Sequence, residues 1–159
     1  DERGIDRVEF AVSTNPGEPA RPLAKIASGG EISRLMLALK LVLSGSGPVP
    51  TLIFDEIDSG IGGSVANAVG EKLATVGRKH QVLIVTHLAQ IARFAGAHFE
   101  IAKSARGDRT HSTVEVLDIQ GRVREIARML SGDVGMEAAL KHAEELLAGA
   151  QPSIVGSEA

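Results

Sequence analysis

TLIFDEIDSG, residues 51–60, starts as an apolar run and stops on acids. Thr51 to Phe54 is too short for a helix and is bounded by polar residues, so it reads as a buried strand. A second run, VLIVT at 82–86, reads the same way and ends on His87. Between them Val65, Ala66, Val69, Leu73 and Val76 recur at helical spacing, which predicts an amphipathic helix over 64–79. Strand, helix and strand make a right-handed crossover with two parallel strands, and parallel strands are buried on both faces. The fold class that follows is α/β, a parallel sheet flanked by helices. The two strand ends, one carrying Asp55 and Glu56 and the other His87, are expected side by side, at the sheet edge where such folds bind ligands.

Outward from this unit, VEFAVS at 8–13 reads as a strand and TNPGEPARP at 14–22 as a connection full of breakers. Residues 28–43 read as a helix that is apolar on most faces and therefore deeply buried. AHFEIAKS at 97–104 and STVEVLDI at 112–119 read as strands joined by the polar loop ARGDRTH. GRVREIARML at 121–130 and MEAALKHAEELLAGA at 136–150 read as amphipathic helices. The tail QPSIVGSEA, 151–159, is expected to fray. One domain over 1–150 is thus expected, with no internal repeat.

Composition narrows the function classes. With 159 residues the chain is long enough for a single sizeable core. Its net charge of −3 announces no general affinity for nucleic acid. No Cys is present, which excludes a disulfide scaffold and thiol chemistry. No apolar run reaches the roughly 18 residues of a membrane span, and no signal peptide is read at the start. The chain opens at Asp1 rather than Met and is expected to be a piece of a longer protein.

The chemistry concentrates at a few points. Of the two acids, one carboxylate suits a magnesium ion and the next suits a water to be oriented or deprotonated; acids simply ending a strand in solvent give the same pattern. His87 suits a phosphate or a water, although a lone His at a strand end is often structural. Ser28, Gly29, Gly30 and Glu31 immediately precede a long helix. Helix N-termini bind anions, and glycine lets a phosphate approach the backbone. The plainer alternative is a capping box of Ser28 with Glu31, which does not require two glycines. DSGIGGS at 58–64 reads as a turn into the crossover helix. No G-x-x-x-x-G-K-[ST] loop occurs, so the accessories of a phosphate site stand here without its cradle. His80, His98, His111 and His142 lack metal spacing and are expected at the surface. Arg78, Lys79, Arg106, Arg109, Arg122, Arg124 and Arg128 are expected to be solvated charges rather than a DNA-binding face.

Taken in order, SGGE, TLIFDE, SGIGG and VTH resemble the signature, Walker B, D-loop and switch histidine of the ABC-type ATPases. SGGE, rather than SGGQ, is similar to their SMC-like branch, and the text from Gly4 to Leu147 resembles the RecN family of bacterial DNA-repair proteins. The resemblance implies the carboxyl-terminal lobe of an ABC/SMC-type P-loop NTPase head, lacking the Walker A lobe. It implies ATP and Mg2+, with Asp55 on the metal, Glu56 on the hydrolytic water and His87 at the γ-phosphate. Ser28, Gly29, Gly30 and Glu31 would close on ATP held by another head, and Asp58, Ser59 and Gly60 would border the nucleotide. Implied partners are the amino-terminal Walker A lobe, a second head in an ATP-dependent homodimer, and DNA through the whole protein, with no membrane. The implied location is the cytoplasm, on the nucleoid. The implied function is ATP hydrolysis coupled to double-strand-break repair, by a chain inactive until completed. A transporter's nucleotide-binding lobe and a non-catalytic dimerisation module are the alternatives. One departure stands out: many ABC ATPases place an Asp where this chain has Gly62, so contacts credited to that Asp do not carry over.

Overall fold

The computed structural model describes residues 4, 8–13, 17–23, 28–43, 49–106, 109–132 and 136–150. The expected fraying of 151–159 lies outside them. The chain order is β1 (Ala11–Val12), β2 (Arg21–Pro22), α1 (Gly29–Val42), β3 (Thr51–Phe54), α2 (Gly63–Gly77), β4 (Gln81–Ile84), α3 (Ala89–Ala92), β5 (Phe99–Arg106), β6 (Arg109–Val116), α4 (Ile119–Ser131) and α5 (Met136–Gly149).

The crossover unit forms as its sequence predicts. β3 and β4 are parallel, with Thr51 opposite Gln81 and Phe54 opposite Ile84. The Val85 amide continues the ladder, donating to the Phe54 carbonyl at 3.1 Å. Because side chains alternate along a strand, Leu52, Phe54, Val82 and Ile84 face one way. They meet Leu37 of α1, Ala66, Leu73 and Val76 of α2, and Ile91 of α3 in one apolar cluster. The opposite face carries Ile53 (71% exposed), Leu83 and Val85, all open to solvent. The sheet is therefore covered on one face only, where two covered faces were expected.

Other expectations are corrected in the same way. Helix α1 was expected to be deeply buried, but only Gly30 and Leu37 are, while Ile32, Met36 and Val42 are exposed. Among the described elements it packs chiefly on α2. Of the strand expected over 8–13, Ala11 and Val12 pair with Arg21 and Pro22 of the expected connection, and the Phe10 carbonyl accepts from the Leu23 amide at 2.8 Å. The short helix α3 was not anticipated; its Ala89 and Ala92 join Val123, Ile126, Ala127, Ala139 and Ala143 in a second cluster that seats α4 on α5. The hairpin's strands have the expected length but are shifted toward the turn, since β5 and β6 pair from Phe99–Val116 to Arg106–Arg109 and absorb most of the polar loop. Helix α4 begins cleanly, with Asp118 accepting from the Gly121 amide at 2.6 Å.

Candidate functional site

Three segments converge at the carboxyl edge of the parallel pair: the turn after β3, the start of α1 and the stretch after β4. Helix α1 grips the turn by its carbonyls. Ser33 Oγ donates to the Asp55 carbonyl at 2.9 Å, and the Arg34 guanidinium donates to the carbonyls of Ile57 at 3.0 Å and Ser59 at 2.9 Å. Ile57, 0% exposed, pins the middle of the turn into the core. The chain thus leaves Asp55 and Glu56 exposed on one side of a fixed point.

Glu56 sits at φ 56°, the left-handed region that a residue with a Cβ enters at a cost. Its amide donates to Asp55 Oδ1 at 2.9 Å, and its carbonyl accepts from the Ser59 amide at 3.0 Å. The turn therefore holds Glu56 in a sparsely populated conformation, as is common where a side chain must be aimed.

The glycines at the start of α1 face this turn. A Cβ at Gly29 would lie 2.6 Å from a Glu56 carboxylate oxygen, and one at Gly30 would lie 2.9 Å from the Glu56 carbonyl and 3.0 Å from Ser59 Cβ. Within the chain, then, the bare backbone makes room for the acidic turn. Glu56 also brings its negative charge against a helix N-terminus, a favourable place for an anion. Ser28 is the N-cap residue, but its side chain makes no capping hydrogen bond. The capping bond from Ser28 that the box with Glu31 requires is therefore not formed.

Asp58 departs furthest from expectation. Expected beside the nucleotide, it is 5% exposed and turned inward. Its Oδ2 accepts from Thr86 Oγ1 at 2.6 Å and from the His87 amide at 2.9 Å, and lies 2.9 Å from His87 Nδ1. Burial pushes this carboxyl upward, but the bonds from Thr86 and His87 outweigh it and hold the pKa below its ordinary value. The His87 side chain itself is 75% exposed. Ser59 and Gly60 stay exposed, Gly60 at φ 72°. Sequence reasoning missed Ile57 and the inward turn of Asp58; the apolar residue between Glu56 and Asp58 was the available signal.

Among the described residues no group of three or more His, Asp or Glu could hold a metal by itself. A magnesium ion at a phosphate needs no such cage, since one or two carboxylates and the phosphates suffice. With Oδ1 engaged by the Glu56 amide, Asp55 has a second oxygen for that task.

The remaining polar expectations divide. His98 is half-buried rather than at the surface; burial first, then Arg122, lower its pKa against the opposing pull of Glu125 and Glu100. Arg122 donates to the Ala95 carbonyl at 2.6 Å, and Arg128 pairs with Glu125 through both oxygens. Arg124, Arg78 and Lys79 are exposed. The side chains of Arg106 and Arg109 lie outside the described residues. No helix among the described residues is long and apolar enough to cross a membrane.

No protein-family model matches the chain. One solved structure, from work on ATP-driven dimerization and DNA-stimulated activation of SMC ATPases, is similar at a TM-score of 0.49 and 20% identity, over 74% of this chain and 70% of that one. Curated relatives lie much nearer in sequence. DNA repair protein RecN of Treponema pallidum (strain Nichols) is 55% identical over 144 residues, 91% of this chain. The proteins of that name from Streptomyces coelicolor and Bacillus subtilis (strain 168) are 51% and 47% identical over 91% and 92% of it. The chain spans about a quarter of their length, 25% in each case. With 47–55% identity carried along nearly all of its residues, the chain belongs to the RecN family of DNA repair proteins.

Proposed function

We propose that this chain is the carboxyl-terminal lobe of an SMC-like ATPase head in a protein of DNA double-strand-break repair, completed by a Walker A lobe and by a second head. The observation that carries the reading is the assembly at one sheet edge of Asp55, Glu56, the glycine start of α1 and His87. Asp55 would hold magnesium, which when bound neutralises charge on the phosphates of ATP. Glu56, exposed and fixed at its backbone, would orient and deprotonate the attacking water. His87 would reach the terminal phosphate. Ser28, Gly29, Gly30 and Glu31 would face the nucleotide of the partner head, and Ser59 and Gly60 would border it. The absence of a phosphate-cradling loop from this sequence supports a site completed by another lobe. So does the open face of Ile53, Leu83 and Val85, since parallel sheets are otherwise covered on both sides. DNA would be engaged by the whole protein, in the cytoplasm on the nucleoid.

The test is Glu56→Gln in the complete protein. ATP should still bind, turnover should fall roughly 10²- to 10⁴-fold, and an ATP-bound pair of heads should accumulate on size exclusion with light scattering. Wild-type turnover would remove Glu56 from this role.

A further inference from the structure

Asp58 is the one acid of the turn that solvent does not reach, and nothing in the proposed chemistry uses it directly. All the contacts of its Oδ2 run to the stretch after β4: Thr86 Oγ1 at 2.6 Å, the His87 amide at 2.9 Å and His87 Nδ1 at 2.9 Å. Thr86 Oγ1 in turn accepts from the Leu88 amide at 3.1 Å, at the N-cap of α3. One buried carboxylate therefore ties the end of β3 to the end of β4 and to the helix that follows.

We propose that Asp58 is a positioning residue for His87, fixing its ring with Nδ1 protonated and turned inward and Nε2 free at the surface. The chemistry of the pair requires that arrangement. An ionised carboxylate can only accept, so the ring nitrogen facing it must carry the proton. A histidine's tautomer is set by the bond its inner nitrogen makes. Thr86 and the His87 amide anchor the same oxygen, so the carboxylate cannot swing away to follow the ring. The outward Nε2 then accepts a hydrogen bond from a water while the ring is neutral and donates one to a phosphate once it is protonated. In both states the nitrogen aimed outward is the same.

The kinetic arm of the test rests on the ATPase reading above; the spectroscopic arm does not. In the complete protein with ring-13C-labelled histidine, His87 is assigned by its loss in His87→Gln. At a pH where the ring is neutral, its carbon shifts should be those of the Nδ1–H form. Free imidazole favours the other tautomer, and Asp58→Ala should move His87 toward it. Asp58→Asn, whose amide oxygen can take the same donors, should retain most of the wild-type signature. For ATP turnover, Asp58→Ala should lower kcat roughly 10- to 100-fold, the scale of a misplaced group, with KM changed less than about twofold. In a His87→Ala background the same substitution should change kcat no further.

An Nε2–H signature in the wild-type protein would overturn the proposal without any variant, as would an equal kcat loss with and without His87. If Asp58→Ala fails to fold, the wild-type tautomer and Asp58→Asn decide. If the wild-type protein turns over no ATP, the ATPase reading falls and the tautomer still decides the role of Asp58.

Discussion

The parallel pair β3–β4 runs for 4 residues a strand and the antiparallel pair β5–β6 for 8, yet the shorter pair anchors the core. Phe54 of β3 is buried in the apolar cluster, and Leu52, Val82 and Ile84 pack against it. In the hairpin, Phe99 stands opposite Val116 and Ile101 opposite Val114, so the four share a face, and all four are exposed. Ladder length alone does not stabilise a sheet; a two-stranded hairpin in water is marginal without a covered face. The difference shows that this chain covers one face of the parallel pair and leaves the apolar face of the hairpin open. The proposed chemistry sits at the pair that anchors the core, because a side chain can be aimed only from a backbone that is held.

That comparison is most severely tested at Ile57. Removing its side chain by Ile57→Ala should cost about 2–5 kcal/mol, the usual range for truncating a fully buried Ile. Urea denaturation would read the loss, and a value below about 1 kcal/mol would mean that the turn is held by Ser33 and Arg34 instead.

A smaller effect of opposite sign is expected next door. Glu56→Gly relieves the left-handed backbone at φ 56°. It should stabilise the fold by roughly 1 kcal/mol while abolishing turnover, since strain of this kind costs about 1–3 kcal/mol and glycine's own flexibility returns part of that. The same denaturation curves, run beside an ATPase assay, check both halves; a destabilised Glu56→Gly would mean that the carboxylate at the helix terminus outweighs the strain.

The smallest change belongs to the hairpin. Ile101→Thr, at a side chain already 61% exposed, should move the stability of this chain by less than about 0.5 kcal/mol. A large loss would show that the hairpin's apolar face is covered in solution, and the contrast between the two sheets would fall.

Much of this was readable beforehand, for identifiable reasons. The strand pair and its crossover helix announced themselves through uninterrupted apolar runs and a helical repeat, both local signals. The expected helix at 28–43 matches α1 at Gly29–Val42, because an apolar run follows glycines and ends before breakers. Its burial was overestimated, since hydrophobicity reports what a helix can pack against and not what lies beside it in this chain. Helix α3 was missed because four residues hold no period. Asp58 is expected beside the nucleotide from its place after the two acids; Ile57, the one apolar residue of the stretch, signals that part of this turn faces the core, but not that Asp58 follows it inward.

Residue order alone dictates the succession of chemical groups and the elements that carry them: acids after one strand, histidine after the next, glycines before a helix. Those depend on period, run length and residue type, which are properties of short segments. Folding in three dimensions sets Gly30 against the Glu56 carbonyl, buries Ile57 while its neighbour Glu56 stays exposed, and turns Asp58 in to His87. Those are contacts between segments far apart in the chain, fixed when the cluster of Leu37, Phe54, Ile57 and Leu73 closes and leaves each side chain of the turn one way to face.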